Sequence, residues 1–227
     1  MSFLIKNDCK SLINAADLAV IIASDDLIFN QAIKASTIQA KSYLNSKFDV
    51  DAMFIDVLEY LFASTYAIGD KIYLFAAKFI TTKVYAVGDL VEYNGIVYRC
   101  IVIPPAFQLP TNATYFTAYG KNEQLYNCIA TATGQRLNDA AYFTAIADRN
   151  PLLVRLMVDL VLYELHSRIN PNNIPEFRIV RYDKAVRFLM DSVDPRKNVN
   201  PDFALLTFEE NRGNDTVFGA TINNNSY

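Results

Sequence analysis

Between Leu152 and Leu165 only Arg155, Asp159 and Glu164 carry charge, so a helix through this stretch is apolar on nearly every face. A helix of that kind must be enclosed from several sides. It is too short and too charged to cross a bilayer, which takes about 20 mostly apolar residues. The stretch therefore predicts a core helix around which the rest of the chain wraps. Asp148 to Val193 reads as this helix, an elbow at Asn170-Pro171-Asn172-Asn173-Ile174-Pro175, and a second, amphipathic helix. Pro171 stops the first helix, because the residue before a proline is pushed out of the helical region. Pro175 suits the first turn of the second, where its missing N–H would have had no partner.

Residues 1–60 also read as helical. Ser24 or Asp25 can cap a helix in which Leu27, Ile28, Ala32, Ile33, Ala35, Ile38 and Leu44 recur at helical spacing. Ser46 to Asp49 ends it, and Asp51 predicts a further helix through Phe54, Val57 and Leu61. Near Ser64 the texture changes. Residues 65–147 are rich in Tyr, Phe, Val, Ile and Thr, punctuated by Gly-Asp and Asn-Gly, which is strand and turn chemistry. Three short patterns recur there. Tyr66-Ala67-Ile68-Gly69-Asp70 returns 19 residues later from Tyr85, and Tyr98-Arg99-Cys100-Ile101 returns 28 later from Tyr126. Tyr115-Phe116-Thr117-Ala118 returns letter for letter 27 later from Tyr142. Unequal spacings point to duplicated hairpin material rather than a solenoid. Leu90 to Tyr98 is the clearest hairpin, since Asn94-Gly95 supplies the two positive-φ residues of a type I′ turn.

The fold class predicted is α+β. A helical core (residues 1–64 and 148–194) carries an inserted small antiparallel β domain (65–147), whose ends should lie close together. An Asn/Pro-rich extended C-terminal arm (195–227) follows. Scattered Phe203, Leu205, Phe208, Val217 and Phe218 suit the arm to adding a strand to a neighbour.

Chemistry is sparse. The single histidine, His166, cannot build a metal shell or a catalytic triad. Near the end of its helix it is expected to cap the last carbonyls. Arg155 and Asp159 are spaced to pair across one helix face. Gly69-Asp70 and Gly88-Asp89 lack phosphate-loop spacing and read as turns. Asp49, Asp51 and Asp56 lack the spacing and glycine of a calcium loop. Cys9, Cys100 and Cys128, odd in number and without C-x-x-C spacing, read as thiols in a reducing compartment. Residues 1–24 lack the pattern of a signal peptide. No catalytic residue, metal or cofactor is predicted. At 52% hydrophobic and 20% charged, the chain is tilted toward burying surface against copies or a partner, or toward a β-rich core. Its net charge of −3, with no block of like charge, makes nucleic acid and anionic membrane poor partners. Arg178, Arg181, Lys184 and Arg187 drift around the second helix in steps of three. They read either as a solvated flank or as a basic flank that docks on an acidic neighbour or lines a DNA channel.

HSRINPNNIPEFRIVRYDKAVRFL, from His166 to Leu189, resembles the C-terminal half of the helical head–tail connector (adaptor, or head-completion) proteins of tailed bacteriophages. Those carry a similar hydrophobic helix, a short Pro-containing turn and an R-Y-D-x-A-x-x-x-L helix. Phe3 to Leu44 is similar to their N-terminal pair of helices, so the resemblance covers roughly residues 1–55 and 148–195. It implies a connector-type helical core in a non-enzymatic virion protein of the neck, assembled in the host cytoplasm. The subunits would form a homo-oligomeric ring, a dodecamer, that binds the portal and other neck or tail proteins, with DNA only passing through the channel and no membrane contact. Within the β stretch, Tyr85, Gly88, Asp89, Val91, Tyr93, Gly95 and Tyr98 resemble the pattern of small chitin-binding modules of glycoside hydrolases. Phe116 stands where those modules carry Trp, and this chain has no Trp. That resemblance implies the alternative, a carbohydrate-binding protein on a virion or cell-surface appendage, with Tyr93 and Tyr98 as glycan contacts.

Overall fold

The computed structural model describes residues 2–23, 25–169 and 174–206. Its architecture is α+β. In chain order come a 3-10 turn (Lys6–Ser11), α1 (Ala15–Ile21), α2 (Asp26–Leu44), α3 (Val50–Met53), nine strands, α4 (Pro151–Ile169) and α5 (Glu176–Val193).

Helices α2, α4 and α5 pack on one another, with α1 and the 3-10 turn against α4. Leu153, Leu156, Met157, Val158, Leu160, Val161, Leu162 and Leu165 of α4 are all buried, as an all-round apolar helix requires. One chain suffices to enclose it, so sister copies are not needed for its burial. Local chemistry sets the helix starts. Asp25 accepts the Leu27 N–H (2.8 Å) to open α2, and Asn150 Oδ1 accepts those of Leu152 and Leu153 to open α4. Pro175 sits just before α5 and gives its carbonyl to the Arg178 N–H (2.8 Å). His166 Nδ1 lies 2.7 Å from the Leu162 carbonyl, one turn back. The elbow residues 170–173 lie outside the described residues.

The expected helix through Phe54, Val57 and Leu61 does not form, because α3 stops at Met53. Phe54 leaves the helix to pack its ring 5.0 Å from that of Phe3. The Val57 N–H donates to the Ser2 carbonyl (2.9 Å), which draws the backbone into strand pairing. The β region therefore begins at Leu58, earlier than residue 65.

Its strands are β1 (Leu58–Glu59), β2 (Thr65–Tyr66), β3 (Lys71–Leu74), β4 (Leu90–Tyr93), β5 (Ile96–Cys100), β6 (Phe116–Lys121), β7 (Gln124–Cys128), β8 (Ala132–Thr133) and β9 (Phe143–Ile146). They make a sheet of order β1-β3-β7-β9, a sheet of order β4-β5-β6, and the pair β2-β8. β3 and β7 form an antiparallel hairpin whose tip is opened to admit the whole of β4, β5 and β6. Registers repeat between the two sheets. Lys71 faces Asn127 as Leu90 faces Arg99, and Cys128 faces Phe143 as Cys100 faces Phe116. Turn chemistry repeats too. Asp70 Oδ2 accepts the Ala67 N–H (2.8 Å) as Asp89 Oδ2 accepts that of Ala86 (3.0 Å). The Gly69 and Gly88 N–H groups reach the carbonyls of Cys128 and Cys100, both at 2.8 Å. Tyr66 and Tyr85 each take the N–H of the residue five positions back, Leu61 (2.6 Å) and Ile80 (2.8 Å). The three recurring patterns are thus a turn and two strands of one motif present twice, an inner unit nested inside the hairpin of an outer one.

The layers follow. Ile5 and Val57 pack on Tyr73 and Leu125, on one side of the outer sheet, with Phe75 and Ile146 alongside. Its other side, including Tyr60, Leu74 and Tyr126, takes Val97 and Tyr119 of the inner unit. The inner unit's own core of Tyr85, Val91, Cys100 and Phe116 forms the last layer. Gly120 makes the stacking possible. A Cβ there would stand 2.7 Å from the Tyr126 hydroxyl and 2.9 Å from Leu74 Cδ2.

Candidate functional site

Among the described residues no group of three or more His, Cys, Asp or Glu could hold a metal ion. No helix among them is long and apolar enough to cross a membrane. All three cysteines are buried thiols. Burial, and then the Asp8 carboxylate, pushes the Cys9 thiol up to about 12. Burial likewise raises Cys100 and Cys128, which donate to the carbonyls of Val102 (3.2 Å) and Ala130 (3.1 Å). Thiols held protonated in this way are poor nucleophiles.

A buried charged side chain, Arg149, stands at the return from the β region into α4. Its Nη1 and Nη2 donate to the two oxygens of Asp8 (2.8 and 3.0 Å). Nη1 also reaches the Phe3 carbonyl (2.7 Å), and Nε reaches Asp148 (3.2 Å). The guanidinium lies 5.3 Å from the Tyr73 ring centre and 5.8 Å from that of Phe3. One side chain thereby ties the 3-10 turn, β3 and the start of α4 together. Four of its five N–H donors are spent on the protein, so it acts as a joint. Sequence reasoning passed over it, since its only mark is an Asp-Arg-Asn triplet before an apolar run. A cleft of about 470 Å³ beside it is lined by Asp8, Asp148, Arg155 and Arg181 among others. Asp159 lies 3.5 Å from Arg181 of α5; Arg155, exposed on the cleft, makes no ion pair with it among the described residues. Burial raises the Asp159 pKa and the neighbouring Arg181 opposes the rise.

The four basic residues of α5 separate. Arg178 is buried, donating Nη2 to the Leu12 carbonyl (3.2 Å), so it belongs to no basic flank. Burial, then Arg181, lowers its pKa. Arg181 is half-buried toward Asp159, and only Lys184 and Arg187 stand in solvent. At intervals of three and four they share one helix face with the exposed Phe177 (56% accessible) and Val180 (43%).

The arm is also corrected. Phe203 is buried in its own chain, edge-on to Phe48 with ring centres 5.4 Å apart, so it is not on offer to a neighbour. The Ala204 carbonyl accepts the Asp49 N–H (2.9 Å), and Leu205 bridges Phe48 while its side chain stays exposed. Phe208, Val217 and Phe218 lie outside the described residues.

Tyr93 and Tyr98 come together on one side of the inner sheet with Phe79, all three half-buried. Phe79 stacks on Tyr85 (5.4 Å, 20°) and meets Tyr93 edge-on (6.0 Å, 87°). Compared with family models, curated proteins and solved structures, the chain finds no match.

Proposed function

We propose that the chain is a structural subunit of the bacteriophage neck, a head–tail connector that forms a ring beneath the portal and links capsid to tail. The observation that carries this reading is the outer face of α5. In the R-Y-D-x-A-x-x-x-L stretch, Ala185 and Leu189 are buried against the bundle. Tyr182 stacks on Tyr163 (4.1 Å) and takes the Gln39 amide (2.7 Å). The resembling motif therefore supplies the packing side of α5, and its opposite side presents Phe177 and Val180 beside Lys184 and Arg187. Glu176 and Asp183 are exposed on the same side, so the apolar strip is bordered by charges of both signs and suits an apolar surface of mixed charge on a neighbour. The charges would guide the encounter and the apolar side chains would hold it. Function is then assembly, with no bond made or broken in the chain. The sugar-binding alternative has less behind it, because Tyr93 stands edge-on to Phe79 and the pair offers no row of flat rings.

The test is the full chain with its portal protein, followed by native mass spectrometry and negative-stain imaging. Rings that bind portal are expected. Phe177→Asp with Val180→Asp should keep the monomer's circular dichroism and abolish the ring. Monomers that persist at high concentration and ignore the portal would overturn the reading.

A further inference from the structure

Because the motif stands twice in the chain, each unit is a control for the other. Tyr66 takes the Leu61 N–H and stacks on Tyr60, as Tyr85 takes that of Ile80 and stacks on Phe79. The Asp139 carbonyl accepts the Tyr142 and Phe143 N–H groups, as the Asn112 carbonyl accepts those of Tyr115 and Phe116. Gly134 and Phe107 share one turn position, at φ +66° and +65°. By these matches Phe62 corresponds to Thr81, Thr65 to Val84, Ala132 to Pro105 and Thr133 to Ala106. In the outer unit the two loops are closed. Thr65 and Thr133 pair as β2 and β8, and the Phe62 ring lies 3.5 Å from where a Cβ on Gly134 would stand. In the inner unit they are open. Pro105 has no N–H to give to a ladder, and Val84 and Ala106 make no backbone hydrogen bond among the described residues. Thr81 brings no ring, and a groove of about 180 Å³ remains between residues 81–84 and 104–107. A cavity of about 150 Å³ is enough for a benzene ring.

The walls of this groove do not serve the fold. Val84 is 82% accessible and Phe107 71%, where the outer unit has Thr65 and Gly134. Phe107 also holds a left-handed φ, which strains a residue with a Cβ and which glycine takes freely. A strained, exposed aromatic ring at a turn that glycine would satisfy points to binding. No charge falls between Arg99 and Lys121, and Lys83 is the one charge in the groove lining.

We propose that the groove seats this chain's own C-terminal segment at Thr216-Val217-Phe218, with the Phe218 ring where the outer unit places Phe62 and the segment's backbone along Val84. The outer unit shows what such a groove takes, an aromatic ring and a strand edge. Thr216 and Val217 favour extended backbone, and an extended segment can add to a free edge. No residue from Thr216 to Tyr227 is charged, so seating the segment strips no ion of water. Asp215, just before it, complements Lys83. Phe208 suits the groove less, because two carboxylates, Glu209 and Glu210, follow it against that single lysine. The Leu206 N–H is held by the Lys47 carbonyl, and the twelve residues from there to Phe218 can span up to about 40 Å. The contact goes beyond the ring reading and does not rest on it.

The full chain carrying Val84→p-benzoylphenylalanine is photolysed, and its cross-links are mapped by peptide mass spectrometry. Expected are cross-links from position 84 to residues 216–219, within one copy or between copies. Phe218→Ala should cut their yield at least about tenfold, as loss of an anchoring ring does. Thr81→Phe, which gives the groove the ring that the outer unit has, should do the same, while Phe208→Ala leaves the yield unchanged. Circular dichroism verifies that each variant folds. No cross-link to residues 216–219, a yield indifferent to Phe218→Ala and Thr81→Phe, or cross-links that depend on Phe208 instead would each overturn the proposal. Ring formation is scored on the same samples. Rings without the cross-link overturn this contact alone, and the cross-link without rings overturns the ring reading alone.

Discussion

Asp159 is a carboxylate held between α4 and α5 with its pKa raised by burial against the pull of Arg181. A raised value in the folded state means that the fold binds this proton more tightly than the unfolded chain does. The contribution of Asp159 to stability therefore falls as pH climbs from the ordinary carboxylate range through the raised value. Asp159→Asn is expected to remove that decline, giving a flatter curve of urea midpoint against pH; an unchanged slope would contradict it. A second prediction concerns the cysteines. All three are buried and held protonated, so none should react with a maleimide in the native chain at mildly alkaline pH. All should react once urea unfolds it, as counted by intact mass. How legible such details are depends on where the partner sits. Spacing along one helix placed Arg155 beside Asp159, but the ion pair comes from Arg181 on α5, which no rule confined to one helix can see. His166 does not cap the last carbonyls as expected: its partner is the Leu162 carbonyl, one turn back inside α4, which runs on to Ile169.

Within the β region, Gly120 marks where the two units touch. Gly120→Ala is expected to cost about 1–3 kcal/mol, the usual range for overpacking, because the new methyl would overlap both Tyr126 and Leu74. Adding Tyr126→Phe should recover only part of this, since the Leu74 contact remains; thermal unfolding of the three variants measures both effects. Duplication was legible because Tyr-x-x-Gly-Asp and the flanking strand residues are local chemistry. Nesting was not read, although the order holds it: the signatures at Tyr85, Tyr98 and Tyr115 all fall between those at Tyr66 and Tyr126. Matching the repeats in pairs hides this; taking them in order reveals one unit inside another. Phe54 to Leu61 misled for a different reason. Its apolar spacing suits a helix, and the partners that make it extended, Ser2 and β3, are distant in sequence.

Across the whole molecule, helices and strands are joined through Arg149. Arg149→Met would leave the Asp8 carboxylate, whose side chain is 7% accessible, without its partner. Breaking one side of a buried ion pair costs about 3–5 kcal/mol. Loss of the joint should also separate the unfolding of the two regions, so that circular dichroism of the helices and tyrosine fluorescence of the β region no longer coincide. Coincident transitions in the variant would refute that role. The two successive helices α4 and α5 and the α+β class were visible in the pattern of apolar residues. That α2, α5 and the N-terminal turns of the same chain are enough to surround α4 was not, because periodicity reports that a face is hidden and not what hides it. The threading of β4, β5 and β6 through the tip of another hairpin also sets a timetable for synthesis. During translation, the small sheet is complete before the ribosome has made β7, the strand that β3 awaits. Once folded, that sheet shortens the span separating β3 from β7 and lowers the entropy lost when they meet. The newborn protein is thus built from the inside outward. A nascent chain arrested just after β6 has left the exit tunnel should already shield the amides of β4 and β5 from deuterium, while those of β3 exchange freely.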